Sequence, residues 1–323
     1  MLFSQLAHTD LRVSRVCMGT MTFGSQADEA ESQRIVDLCL DNQVNFFDTA
    51  NVYNQGLSET IVGKTLGARR RDIVLASKVR GQMKTPTEYG GLAPQAIRKA
   101  IGDSLRRLGT DYLDIYYLHM PDNEARIEET LETMDQLRRE GKIRYIGVSN
   151  YSSWQMCEMH WMCEKNGWQK PRIAQPMYNL VARGIEQEYV AFTQRFGISN
   201  VCYNPLAGGL LTGKQIKEQG PLANTRFDKN EMYLNRYWND QHFQCVEELK
   251  KIAQKAGITL VQLAIRWLVQ QEAAHCLILG ASRAEQLREN LQTIETPALE
   301  PQVLEACDLA WKKLRGPAPV YNR

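Results

Sequence analysis

Four side chains in this sequence could do proton chemistry together: Asp48, Tyr53, Lys78 and His119. Asp48 closes the apolar run Phe46-Phe47-Asp48, and Tyr53 follows in Asp48-Thr49-Ala50-Asn51-Val52-Tyr53. Lys78 ends Ile73-Val74-Leu75-Ala76-Ser77-Lys78, and His119 ends Leu113-Asp114-Ile115-Tyr116-Tyr117-Leu118-His119. A phenol, with a pKa of about 10, is a weak acid near neutrality. A nearby ammonium favours phenolate and lowers that value. A buried lysine needs a counter-ion in turn, and Asp48 is placed to supply one. A histidine can hydrogen-bond the phenol and orient a substrate oxygen. Singly, each residue has an ordinary role as turn former, packing ring or rim residue. Together they form a tuned proton donor, suited to a reaction that puts negative charge on a carbonyl oxygen.

The elements that must position these groups alternate strand and helix about eight times. Polar residues close apolar runs at 48, 78, 119, 149, 175 and 203, then at Gly280 after a longer interval. Between them lie helical patterns from Asp28 to Leu40, Ser58 to Leu66, Pro94 to Leu108, Ile127 to Glu140 and on to Lys165. Further helices are expected near Glu186–Phe196, at 241–256 and 259–271, and over Arg283–Leu291. Residues 2–13 suggest an N-terminal β-hairpin, Val16-Cys17-Met18-Gly19 a first strand, and 206–240 a long loop after the seventh. Continuously apolar runs such as Ile73–Ala76 suit a parallel sheet covered on its outer face. The fold class expected is α/β, a (β/α)₈ TIM barrel formed by residues 1–323 as a single domain. In such a barrel the C-terminal strand ends share one mouth. The runner-up, a doubly wound sheet, is weakened because Gly19-Thr20-Met21-Thr22-Phe23-Gly24 is not the glycine fingerprint of that fold.

A proton donor alone reduces nothing, so hydride must come from a cofactor. Ser149-Asn150, Gln175 and Tyr203 could hold a carboxamide and stack on a flat ring. Gly280-Ala281-Ser282-Arg283 opens a helix, where phosphate is favoured by backbone N–H groups and the helix dipole. Arg283 adds a cation suited to a 2′-phosphate.

Composition excludes other classes. The net charge of +2 gives no support to nucleic-acid or membrane-surface binding. No apolar stretch reaches the roughly 20 residues of a membrane helix, and no leader is visible. The eight cysteines lack any CxxC spacing and read as reduced residues in a cytoplasmic protein with no metal centre.

These residues carry a family resemblance. Asp48-Thr49-Ala50-x-x-Tyr53 with Ser58-Glu59, Ser77-Lys78-Val79 and Asp111–His119 resemble the aldo-keto reductases. So do Gly141–Asn150, Tyr203–Lys214 and Gly280-Ala281-Ser282-Arg283-x-x-Gln286-Leu287-x-x-Asn290. The resemblance implies NADPH-dependent reduction of a small aldehyde or ketone, with Tyr53 as general acid, Lys78 held by Asp48, and His119 placing the substrate. It assigns Gly19, Thr20, Met21, Asp48, Ser149, Asn150, Gln175, Tyr203 and Asn204 to the nicotinamide side. Leu206, Gly208, Lys214 and Arg226 fall over the pyrophosphate. Gly280, Ser282, Arg283, Gln286, Glu289 and Asn290 fall at the adenosine end.

Asn166-Gly167-Trp168, Met177-Tyr178-Asn179, Asn235-Arg236-Tyr237-Trp238 and Tyr321-Asn322-Arg323 resemble the aflatoxin-aldehyde-reductase branch, which takes carboxylated aldehydes such as succinic semialdehyde. Substrate contacts are therefore expected from Met21, Phe23, Tyr53, His119, Met120, Arg236, Trp238 and Arg323, with Arg236 or Arg323 pairing a carboxylate. The Arg80–Leu92 segment matches no pattern. A homo-oligomer is compatible with all of this. The rival implied by the same resemblance is an NADPH-binding, redox-sensing subunit of a membrane channel with slow turnover.

Overall fold

The computed structural model describes residues 1–83 and 90–318. Strand β1 (Phe3–Gln5) and β2 (Arg12–Ser14) form an antiparallel hairpin with Phe3 opposite Ser14. Eight parallel strands then close a barrel. They are β3 (Val16–Gly19), β4 (Phe46–Asp48), β5 (Val74–Val79), β6 (Leu113–Leu118), β7 (Ile143–Ser149), β8 (Ile173–Gln175), β9 (Ser199–Cys202) and β10 (Cys276–Gly280), with β10 pairing both β9 and β3. The outer layer comprises α1 (Glu29–Asp41), α2 (Leu57–Leu66), α3 (Pro94–Leu108), α4 (Ile127–Arg139), α5 (Ser153–Asn166), α6 (Tyr189–Phe196), α7 (Glu231–Tyr237), α8 (Asp240–Lys255), α9 (Leu260–Gln270), α10 (Ala284–Ile294) and α11 (Pro301–Arg315).

The apolar runs conceal a strict alternation. Cys17, Phe46, Val74, Ala76, Ile115, Tyr117, Ile173, Val201, Cys276 and Ile278 pack together inside the barrel. Their neighbours Val16, Met18, Phe47, Leu75, Tyr116, Leu118, Ala174, Leu277 and Leu279 face the helices. The runs look uniform because both strand faces are buried. Leu6, Leu11 and Val13 of the hairpin join the inner cluster and close the N-terminal end. Each contributes about 1.5–3 kcal/mol if its side chain is fully buried. The hairpin therefore plugs the N-terminal end of the barrel.

Local signals mostly act as the sequence suggests. Asp28 caps α1 by accepting the Glu31 N–H at 2.8 Å. Pro94 opens α3 at its first turn, and Gly109, with φ +61, ends it. Three differences stand out. Residues 206–240 are not all loop: they contain 3₁₀ turns at Ala207–Thr212 and Lys217–Gln219 as well as α7. Helix α11 went unread. The helix expected from Glu186 begins at Tyr189, after a 3₁₀ turn over Gly184–Gln187. In 206–240, polar capping and glycine turns outweigh weak helical periodicity, which is why a seven-residue helix escaped notice there.

Candidate active site

Side-chain alternation explains why the four groups meet. Asp48 is two residues beyond inward-facing Phe46, Lys78 two beyond Ala76, and His119 two beyond Tyr117. Register sets Asp48 beside Gly19 and Ala76, and Lys78 beside Tyr117. By the same parity Ser149, Gln175, Tyr203 and Gly280 complete the ring at the mouth. One glycine in the wall below is required by closeness alone: a Cβ on Gly147 would lie 2.4 Å from the Tyr117 ring.

Lys78 is fully buried, and Asp48 is 2% exposed. The Lys78 ammonium donates to Asp48 Oδ1, to the Thr49 carbonyl at 2.8 Å and to Tyr53 Oη at 3.3 Å. Asp48 Oδ2 accepts from Gln175 Nε2 at 2.9 Å. The Tyr53 and His119 rings meet edge to face with centroids 6.0 Å apart. Asp48, Tyr53, Lys78 and His119 are therefore brought together.

Burial pulls the Lys78 pKa down, but Asp48 and Tyr53 outweigh it and leave the ammonium above its ordinary value. The Tyr53 phenol corrects an expectation. Burial raises its pKa, and Asp48 adds to the rise; Lys78 and Arg226 oppose it without reversing it. The phenol stays protonated through neutrality rather than being tuned toward it. Burial, then the cations Lys78 and Arg80, push His119 down to about 3, so its imidazole is neutral. Its buried Nδ1 has no partner among the described residues.

The rest of the mouth divides clearly. Asn150, with φ +63, donates to the His119 carbonyl at 2.9 Å and to Ser149 Oγ at 3.1 Å, and accepts from Tyr203 Oη at 2.8 Å. Ser149 Oγ donates to the Gln175 carbonyl at 3.0 Å. Amides, hydroxyl and aromatic ring thus form one connected patch beside Tyr53 and His119.

A family model described as "Aldo/keto reductase family" matches residues 15–312. The chain belongs to the aldo/keto reductase family. It is 36% identical over 323 residues to "Aflatoxin B1 aldehyde reductase member 2" of Rattus norvegicus, covering 95% of this chain and 87% of that one. It is 37% identical to "Aldo-keto reductase family 7 member A3" of Homo sapiens, covering 95% and 96%. A "Probable voltage-gated potassium channel subunit beta" of Arabidopsis thaliana is 36% identical over 94% of this chain and 95% of its own.

Aldo/keto reductases use nicotinamide cofactors, and the donor set here fits one. Arg226 donates to Tyr233 Oη at 3.1 Å, and its Nη2 stands 3.2 Å from where a Cβ on exposed Gly280 would be. A cation therefore lies beside exposed backbone at the mouth, a pairing that suits a phosphate group. Arg283, Lys214 and Glu289 are exposed, Leu206 and Gly208 half-buried, and Asn290 buried. Ser282 N and Oγ both donate to Gln286 Oε1. The cap position of α10 is Arg283, and Glu31 of α1 accepts the Ala284 N–H at 2.6 Å. That bond holds the Glu31 carboxyl below its usual range.

Some expected contacts sit elsewhere. Phe23 is fully buried in the core between barrel and helices, not at the mouth. Thr20 is buried, its Oγ bonded to the Asp48 carbonyl at 3.1 Å and to Ser58 Oγ at 2.9 Å. Asn204 is 6% exposed, accepting the Gly208 N–H at 2.6 Å and donating to Tyr237 Oη at 2.9 Å. Thr20 and Asn204 thus shape the mouth from behind. Met21 and Met120 are exposed, and Trp238 packs on Phe227 and Phe243 with centroids 5.3 and 5.0 Å apart. Arg236 is half-buried, its guanidinium 5.9 Å from the Tyr233 ring centroid, and its charge lowers the Tyr203 pKa against burial. Arg323 lies outside the described residues.

Glu59, of the Ser58-Glu59 pair, is fully buried. It accepts from Ser77 Oγ and from Arg107 Nε at 2.8 Å. The Ser58-Glu59 pair in the family-like stretch is the available sequence signal; the Arg107 contact, between separate helices, has none.

Proposed function

We propose that this protein is an NADPH-dependent carbonyl reductase, one barrel domain working in the cytoplasm, that converts aldehydes and ketones to alcohols. The observation that carries the reading is the buried Lys78 ammonium joining Asp48 to the Tyr53 hydroxyl. NADPH, when bound, supplies hydride to the carbonyl carbon. Tyr53 gives its proton to the carbonyl oxygen, and Lys78 stabilises the phenolate left behind. His119, neutral and beside Tyr53, orients the substrate oxygen. Ser149, Asn150 and Gln175 would hold the carboxamide, Tyr203 the ring, and Lys214 and Arg226 the pyrophosphate. Ser282, Arg283 and Gln286 would hold the adenosine phosphate. The test is loss of NADPH absorbance with 4-nitrobenzaldehyde and succinic semialdehyde. Tight NADPH binding with no turnover would instead favour a redox-sensing role as a channel subunit, the name that the Arabidopsis thaliana relative carries.

The titration directions set the pH profile. Reduction needs protonated Tyr53 and neutral His119. A phenol raised by burial loses its proton only above its ordinary range, and His119 charges only near 3. The reductive kcat is therefore expected to stay flat from about pH 6 to pH 9 and to fall only above that. An inflection near pH 6.5 that vanishes in His119→Asn would contradict the neutral imidazole.

Arg236, whose charge acts on Tyr203, is a cation suited to meet a substrate carboxylate. Arg236→Ala is expected to raise KM for succinic semialdehyde about tenfold while leaving 4-nitrobenzaldehyde nearly unchanged. Equal effects on both aldehydes would remove Arg236 from that role.

A further inference from the structure

We propose that Asn54 is a positioning residue for Tyr53, holding the phenol on the Lys78 ammonium by tying a left-handed turn to the loop after β3. The inference rests on the reductase reading above. Immediately after Tyr53 the backbone runs through three consecutive left-handed residues: Asn54 (φ 48°, ψ 41°), Gln55 (φ 57°, ψ 40°) and Gly56 (φ 86°, ψ −7°). For L-residues this conformation is strained, less for asparagine and least for glycine. Gln55 has neither excuse, so contacts elsewhere must hold the turn.

Asn54 supplies them. Its Nδ2 donates to the Met21 carbonyl at 3.0 Å and to the Phe23 carbonyl at 2.7 Å, using both amide hydrogens. The loop it grips is itself fixed: Phe23 N donates to the Thr20 carbonyl at 3.0 Å, and Thr20 N to the Asp48 carbonyl at 2.9 Å. The connections therefore close a circuit from Asp48 through Thr20, Phe23, Asn54 and Tyr53 to Lys78 and back to Asp48. At the far end of the turn, Gly56 lies under Arg107, where a Cβ would meet Arg107 Cδ at 2.8 Å. Arg107 binds Glu59, which binds Ser77 next to Lys78.

The contact being protected has little slack. Lys78 Nζ to Tyr53 Oη is 3.3 Å, at the long end of hydrogen-bond range. A small drift of the turn breaks it, and misplacement by about 1 Å can cost 10²-fold in rate.

The test uses Asn54→Ala, Asn54→Gly and Asn54→Asp in the full chain. Glycine keeps the left-handed backbone without the tether. Aspartate keeps the shape but turns an acceptor toward two carbonyls. The expected result is a kcat lower by about 10- to 10²-fold in each, with aldehyde KM and the NADPH dissociation constant nearly unchanged. In alcohol oxidation Tyr53 must accept the alcohol proton as hydride leaves for NADP⁺. The high-pH inflection of that direction should move upward, because a phenol displaced from an ammonium is a weaker acid. A stability defect alone would not move it. If Asn54→Ala fails to fold, the glycine variant carries the test. Asn54→Gly and Asn54→Asp with wild-type kcat and inflection, beside an inactive Tyr53→Phe, would overturn this inference alone. Absence of turnover in the wild type would overturn it together with the reductase reading.

Discussion

Tyr53→Phe is expected to lower the reductive kcat by about 10²- to 10⁴-fold, the range for removing a positioned general acid, while NADPH binds nearly as before. The hydroxyl is the one atom lost. Its only described side-chain donor is Lys78, which keeps Asp48 Oδ1 and the Thr49 carbonyl as acceptors. The buried ammonium therefore stays satisfied, and no large loss of stability should accompany the loss of rate. The half-buried ring remains to pack against His119. Stopped-flow turnover with 4-nitrobenzaldehyde and fluorescence titration with NADPH separate the two effects. A phenylalanine variant with wild-type kcat would remove Tyr53 as the acid and leave the charge pair with a purely structural meaning.

Why Tyr53 was legible in the sequence, and its pKa was not, follows from distance along the chain. Strand ends are local events: an apolar run stops on Asp48, Lys78 or His119, and period-two alternation decides which way each points. Parallel pairing then brings the ends together without further information. The eight strands and most helices were readable for the same reason. Tyr53's net pKa depends on how deeply the finished fold buries it, and here burial outweighs Lys78. Phe23 sits only a few residues from exposed Met21, yet fills the core; no periodicity inside so short a connection tells inward from outward. Arg226 over Gly280, Glu31 on α10 and Arg107 on Glu59 join segments far apart in sequence. Those contacts exist only once the barrel closes. The resemblance to reductases supplied Arg226, whereas Asn54, Glu31 and Arg107 had no signal of that kind.

Asp48→Asn tests the electrostatic half of the site, and its effect should depend on pH in a definite direction. In the wild type the Lys78 pKa is raised above its ordinary value, because Asp48 and Tyr53 together outweigh burial. Its stabilising contribution is then complete below the unfolded value of about 10.4 and is lost as pH rises through the folded one. Asparagine removes the charge and leaves burial dominant, so the folded pKa falls below 10.4 or thereabouts. The unfolded chain now binds the extra proton, and stability must rise with pH across that window. Asparagine also cannot present oxygen to both Lys78 Nζ and Gln175 Nε2, which occupy the two carboxylate oxygens. Breaking one partner of a buried pair costs about 3–5 kcal/mol. Urea unfolding is therefore expected to show that deficit near pH 7 and a smaller one near pH 9.5, with reduction impaired because a lysine that loses its proton no longer stabilises the Tyr53 phenolate. A deficit that is constant or widens with pH would mean that Lys78 is not held charged by Asp48. In that case the phenol would have to be stabilised by something other than this pair.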